Sequence, residues 1–246
     1  MKHLKLLWVL LLMLSSNRGF GQDECSFGSE EAADSLEHVL AAAPTCTKAA
    51  DELSKCRWGS SADVRFASIV LEKCEKALLP KLTAAGKRRY QRERELCAYE
   101  YSGQEGTLYL SEAAMCGVFI AQRFEEKPSL AEVPAPRASF DCHKASTSLE
   151  KAICSDEKLG QADIVLARAY QPLLQALPPS KRSVLIRQQK EWRHRVERQC
   201  GVGLDPLPPR TRECVRKQFE SRFTDLDGCS VGGPEECLRQ RRDDAL

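Results

Sequence analysis

Twelve cysteines are the residues of this 246-residue chain with the most chemistry to offer. A thiolate can attack a substrate, hold a metal ion or be oxidised to a disulfide. No Cys-x-x-Cys pair occurs, and zinc ribbons and thioredoxin-like redox sites need that close spacing. An even number of widely spaced cysteines reads instead as a disulfide framework in an oxidising compartment. If all twelve are paired, no thiolate remains for nucleophilic catalysis. His143 follows Cys142 and His194 follows Trp192, and neither has further ligands at metal-binding spacing. The chain has no Gly-x-Ser-x-Gly and no phosphate-cradling glycine loop. The acid pairs Glu30-Glu31 and Glu235-Glu236 are of the ordinary surface kind and do not imply glycosidase chemistry. The expectation is a protein without catalytic residues, metal or cofactor.

Helices must position these cysteines. Ala162, Leu166, Ala169, Tyr170, Leu173 and Leu177 fall on one stripe at three- and four-residue steps. Pro178-Pro179-Ser180 stops that helix, and Ser180 is the expected N-cap of the next. The next helix carries Leu185, Gln188, Trp192 and Val196 on one face and ends at Cys200. Another, about 210–226, holds Cys214, Phe219, Phe223 and Leu226. Thr147-Ser148-Leu149-Glu150 matches a capping box. Towards the N-terminus, helices are expected at about 30–42, from Asp63 towards Pro80, over Leu82–Tyr99 and over Leu108–Phe124. β-branched alternating runs are nearly absent, so the fold class is all-α.

Residues 127–138 form a Pro-rich linker, with six cysteines before it and six after. Cys46, Cys56, Cys97 and Cys116 superpose on Cys142, Cys154, Cys200 and Cys214 at nearly constant offset, and Asp63 and Asp163 share that frame. The pattern predicts two tandem, disulfide-stapled domains of three to four helices each, at 22–126 and 139–246. The simplest pairing is Cys142–Cys154 and Cys200–Cys214, mirrored by Cys46–Cys56 and Cys97–Cys116, with Cys229–Cys237 and Cys25–Cys74 completing the set. Six cysteines per half permit 15 arrangements each.

Met1–Lys5 is basic, Leu6–Leu14 is apolar and Gly19-Phe20-Gly21 is a small-residue end, the layout of a signal peptide over 1–21. The expected location is periplasmic or secreted, with no membrane insertion after cleavage. Formal charge is +2 for the whole chain, and loss of Lys2, Lys5 and Arg18 leaves −1. Neither value supports nucleic-acid binding. The charged runs 87–95 and 187–198 mix both signs and read as solvated helix faces. Binding candidates are Trp192, as an interface anchor, and the polar Asp163 and Gln189. Asp205 sits in the Gly/Pro-rich loop 201–210, held at both ends if Cys200 and Cys214 pair.

Ser139-Phe140-Asp141-Cys142, Leu149 to Cys154, Leu159, Asp163 and Ala167 to Tyr170 resemble the LprI-type lysozyme-inhibitor-like domain. So do Gln188 to Arg193, Arg195, Cys200 and the Cys214 helix through Phe219, Arg222 and Leu226. Residues 45–125 resemble a divergent copy, with Arg89 where Trp192 stands. The resemblance implies a secreted, helical, disulfide-bonded, non-enzymatic protein whose partner is a protein, such as a lysozyme-type hydrolase. It adds Arg195 to the binding candidates. An envelope adaptor, or an immunity protein against a delivered toxin, is the alternative.

Overall fold

The computed structural model describes residue 25, residues 31–233, and residues 235 and 238. The expected signal peptide therefore lies outside the described residues, as does Cys237. Among the described residues the elements are α-helices and short 3-10 turns, with no strand: the protein is all-α.

The chain divides into two compact units. The first, spanning residues 1–81 and 106–128, contains helices α1 (Glu31–Ala42), α2 (Cys46–Cys56), α3 (Ala62–Leu78) and α5 (Thr107–Glu126). α3 and α5 form its main packing pair, and α1 and α2 lie against them. Its core is built from one apolar stripe per helix: Leu36 and Leu40, Leu53, Phe66 and Val70, Met115, Val118 and Phe124.

The second unit, residues 82–105 and 129–246, takes α4 (Ala84–Tyr101) together with α6 (Ser148–Ser155), α7 (Glu157–Ala176), α8 (Pro179–Cys200) and α9 (Pro209–Gly232). Among the described residues, the stretch 139–246 holds four α-helices, and α4 joins them in this unit. α4 groups with it because Leu96 joins the second core and Arg168 of α7 pairs with Glu93 and Glu100 of α4. The Pro-rich segment is packed along α4. Arg89 Nη1 donates to the carbonyls of Val133 and Pro134, and Ala131 is buried. A Cβ on Gly160 would lie 2.1 Å from the Arg137 carbonyl oxygen, so only glycine admits that strap against α7.

The capping box forms as expected. Thr147 Oγ1 accepts from Glu150 N–H, and the Glu150 carboxylate accepts from Thr147 N–H and Ser146 N–H. Those two donors hold the Glu150 carboxyl down at about 2. Ser180 is not the cap of α8. That helix begins at Pro179 with Pro178 in the N-cap position, where its N1 proline has no N–H to satisfy.

Cys142–Cys154 and Cys200–Cys214 pair as expected, with Cα separations of 5.7 and 5.6 Å. Two of the pairings expected in the first half fail. Cys25 pairs with Cys56 and Cys46 with Cys74, at 4.8 and 4.7 Å, replacing Cys46–Cys56 and Cys25–Cys74. The reason is geometric. Cys46 and Cys56 begin and end the single helix α2. Ten rises of 1.5 Å hold them about 15 Å apart, beyond the span of a disulfide. Cys142 and Cys154 bridge because a 3-10 turn and a bend separate them. Cys97, Cys116 and Cys229 are also disulfide-bonded, and no described cysteine is free. The first unit's bridges do not mirror those of the second.

Candidate functional site

In the second unit, α7 and α9 form the main packing pair and α8 covers them. Trp192 is 7% exposed and meets Phe219 of α9 edge to face at 5.1 Å. One turn earlier, Gln189 Oε1 accepts from Arg222 Nε at 3.1 Å. Gln189 and Trp192 are therefore brought together, and both face the α8–α9 seam. Arg195 is half-buried on the same helix.

Asp163 stands apart, on α7. Its carboxylate accepts the Ser139 N–H at 2.6 Å and so ties down the strap before Cys142. Burial pushes its carboxyl above the ordinary 3.8, partly opposed by that hydrogen bond. A raised folded-state value means that ionisation weakens the fold. The stability of the neutral form is complete below the unfolded value and is lost as pH rises through the folded one. Asp163→Asn should then gain on the wild type between pH 3 and pH 7 at this half-buried site. Urea unfolding at both pH values checks the sign, and a variant that loses ground as pH rises contradicts it.

Asp205 is exposed on the loop after α8, and Lys151 of α6 pairs with it at 3.2 Å. The five candidates thus fall into three places. A cleft of about 730 Å³ in this unit is lined by Arg88, Arg89, Arg92 and the strap 131–137. Arg89 is engaged by Glu93 and Arg92 by Glu157. Among the described residues, no group of three or more His, Cys, Asp or Glu is placed to hold a metal.

The first unit contains an arrangement that the sequence reading passed over. Asp63, fully buried in the first turn of α3, gathers the loop before it. Its carboxylate accepts from the N–H groups of Trp58, Gly59 and Ser60, at 3.1, 2.8 and 3.1 Å, and from Ser111 Oγ at 2.5 Å. The loop so fixed presents Trp58, 47% exposed, with one ring edge against Phe66 at 5.7 Å. The signal was a Trp-Gly-Ser-Ser run with an Asp two residues later, turn residues followed by a helix start. In the sequence, Asp63 stands out as a helix start and by its register with Asp163.

With this geometry in place, comparison with known proteins bears on the second unit. Residues 142–225 match the family model described as "Lysozyme inhibitor LprI". That segment contains α6, α7, α8 and all but the end of α9, with both of the unit's expected bridges. No curated protein and no solved structure matches the chain. The description of the matched family is that of a lysozyme inhibitor. The family and the disulfides together point outside the cytoplasm. No described helix is long and apolar enough to cross a membrane.

Proposed function

We propose that this protein is exported to the periplasm or beyond, loses residues 1–21, and binds and inhibits a lysozyme or another cell-wall hydrolase. The LprI match over 142–225 carries this reading. The multiple bridges support it, because secreted domains of this size gain stability from such staples. In the second unit, Asp163, Gln189 and Trp192 hold the strap and the helix seam. Arg195 and Asp205 are the members of that set left with surface to offer. The steady cysteine offsets support an origin of the two halves by duplication about the 127–138 segment. The deciding experiment is a titration of purified protein against lysozyme on a cell-wall substrate. Activity should fall to near zero around stoichiometric ratio, and full activity at large molar excess overturns the proposal.

An envelope adaptor is the second reading, and one observation favours it. Arg187, Lys190, Arg193 and Arg198 are exposed along α8, and no ion pair engages them among the described residues. Such a face suits an anionic envelope component. A pull-down from envelope extract that returned a single non-hydrolase partner would favour this reading over the first.

A further inference from the structure

Charge is divided unevenly between the units. From residue 22 onward, the first unit carries 9 Lys and Arg against 14 Asp and Glu, a net of −5. The second carries 25 against 21, a net of +4. Within the matched segment 142–225 the imbalance is larger, 16 cations against 10 anions. The near-neutral whole therefore conceals an acidic unit and a basic one. Lysozymes are commonly strongly basic. Such a target is drawn towards the first unit and repelled by the very segment that carries the family signature.

The acidic unit also presents the contact that an inhibitor needs. Trp58 and Leu108 are 47% and 50% exposed. Leu108 lies against the loop that carries Trp58: its Cδ1 is 3.0 Å from the position a Cβ on Gly59 would take. Arg57, next to Trp58 in the chain, and Glu112, one turn on from Leu108 in α5, form a two-point ion pair, Nη2 to Oε1 at 2.7 Å and Nη1 to Oε2 at 3.2 Å. Asp63 fixes the loop from beneath through its backbone. A large aromatic ring on a loop that is already ordered gives up little entropy on binding, and Trp is the residue most enriched among energetically dominant contacts.

We infer that a basic, lysozyme-type hydrolase docks on the Trp58–Leu108 face of the acidic first unit, outside the segment that matches the inhibitor family. This rests on the inhibitor reading above for the class of partner. Trp58 supplies the buried contact, the net negative unit speeds encounter, and the basic second unit repels the same target.

The test uses the full exported chain and a purified basic c-type lysozyme, with binding measured by surface plasmon resonance alongside lysozyme activity. Trp58→Ala should weaken binding by about thirtyfold or more. Leu108→Ser provides a second, independent loss should Trp58→Ala fold poorly, and circular dichroism monitors both. Arg210→Ala with Lys217→Ala, exposed on α9, should leave binding unweakened. The association rate should fall as salt is raised from 50 to 500 mM, because a charge-steered encounter is screened. Undiminished binding by folded Trp58→Ala and Leu108→Ser overturns the docking face and leaves the inhibitor reading standing. Binding that needs Trp58 but leaves lysozyme active supports the face and overturns the inhibitor reading. No binding by the wild type overturns both.

Discussion

Asp63→Ala should cost the protein on the order of 3–5 kcal/mol, seen as a large fall in the urea midpoint of the first unit. The carboxylate is fully buried, and four donors converge on it. Alanine leaves all four without an acceptor. Each buried orphan costs roughly 1–3 kcal/mol, and the loop recovers part of that by opening to water. Opening is itself observable: the Trp58 indole becomes more accessible to a quencher such as acrylamide. Asp63→Asn is the informative intermediate. Its amide keeps one oxygen acceptor and turns an NH2 group towards donors, so it should lose about half as much. Ser111→Ala removes a single donor and should cost about 1 kcal/mol. If Asp63→Ala unfolds no more easily than Ser111→Ala, the carboxylate is not the organiser of this loop. The same series separates stability from docking. Asp63→Asn touches no exposed atom of the Trp58 face, yet it should weaken lysozyme binding by loosening the loop that presents it.

Much of the second unit was legible because its signals are local. The capping box at Thr147–Glu150 specifies a helix start through bonds three residues apart. The stripe from Ala162 to Leu177 fixes the buried face of α7. The two bridges of this unit close across short bends, where nearest-neighbour pairing is physically easy. The first unit was less legible because its decisive contacts are long-range. Cys46 and Cys56 have the spacing of a short bridge, but the residues between them are all helical, and a helix is a rigid spacer. Spacing alone does not reveal whether the intervening chain turns. The placement of α4 is another case. Its mixed charges read as a solvated face, but buried Glu93 meets Arg89 and Arg168, so part of that charge is internal pairing. The Asp63 site was legible in kind but not in consequence. Offset arithmetic matched it to Asp163, and both do bind backbone amides. Asp163 holds one strap residue, whereas Asp63 orders a whole loop.

Trp192→Ala should be the most damaging single change in the matched segment, costing about 3–5 kcal/mol. Trp192 lies within the second core, along with Leu185, Val196, Phe219, Phe223 and Leu226. Removing the indole leaves a cavity between α8 and α9 and breaks the edge-to-face contact with Phe219, itself worth roughly 0.5–1.5 kcal/mol beyond burial. Leu185, Val196 and the Cys200–Cys214 bridge still hold α8, but its other faces are charged and exposed. Gln189 and Arg222 therefore lose alignment once the Trp is gone. Trp192→Phe keeps a ring at the seam and should cost no more than about 2 kcal/mol. These two variants decide between the roles that a Trp on a charged helix can take. A core role predicts that unfolding midpoints follow ring size, while lysozyme binding by still-folded protein is unchanged. An anchor role predicts the reverse, with stability kept and binding lost, and would move the docking surface from Trp58 to α8. The two tryptophans thus make opposed predictions: Trp58→Ala should change binding and spare the fold, and Trp192→Ala should change the fold and spare binding.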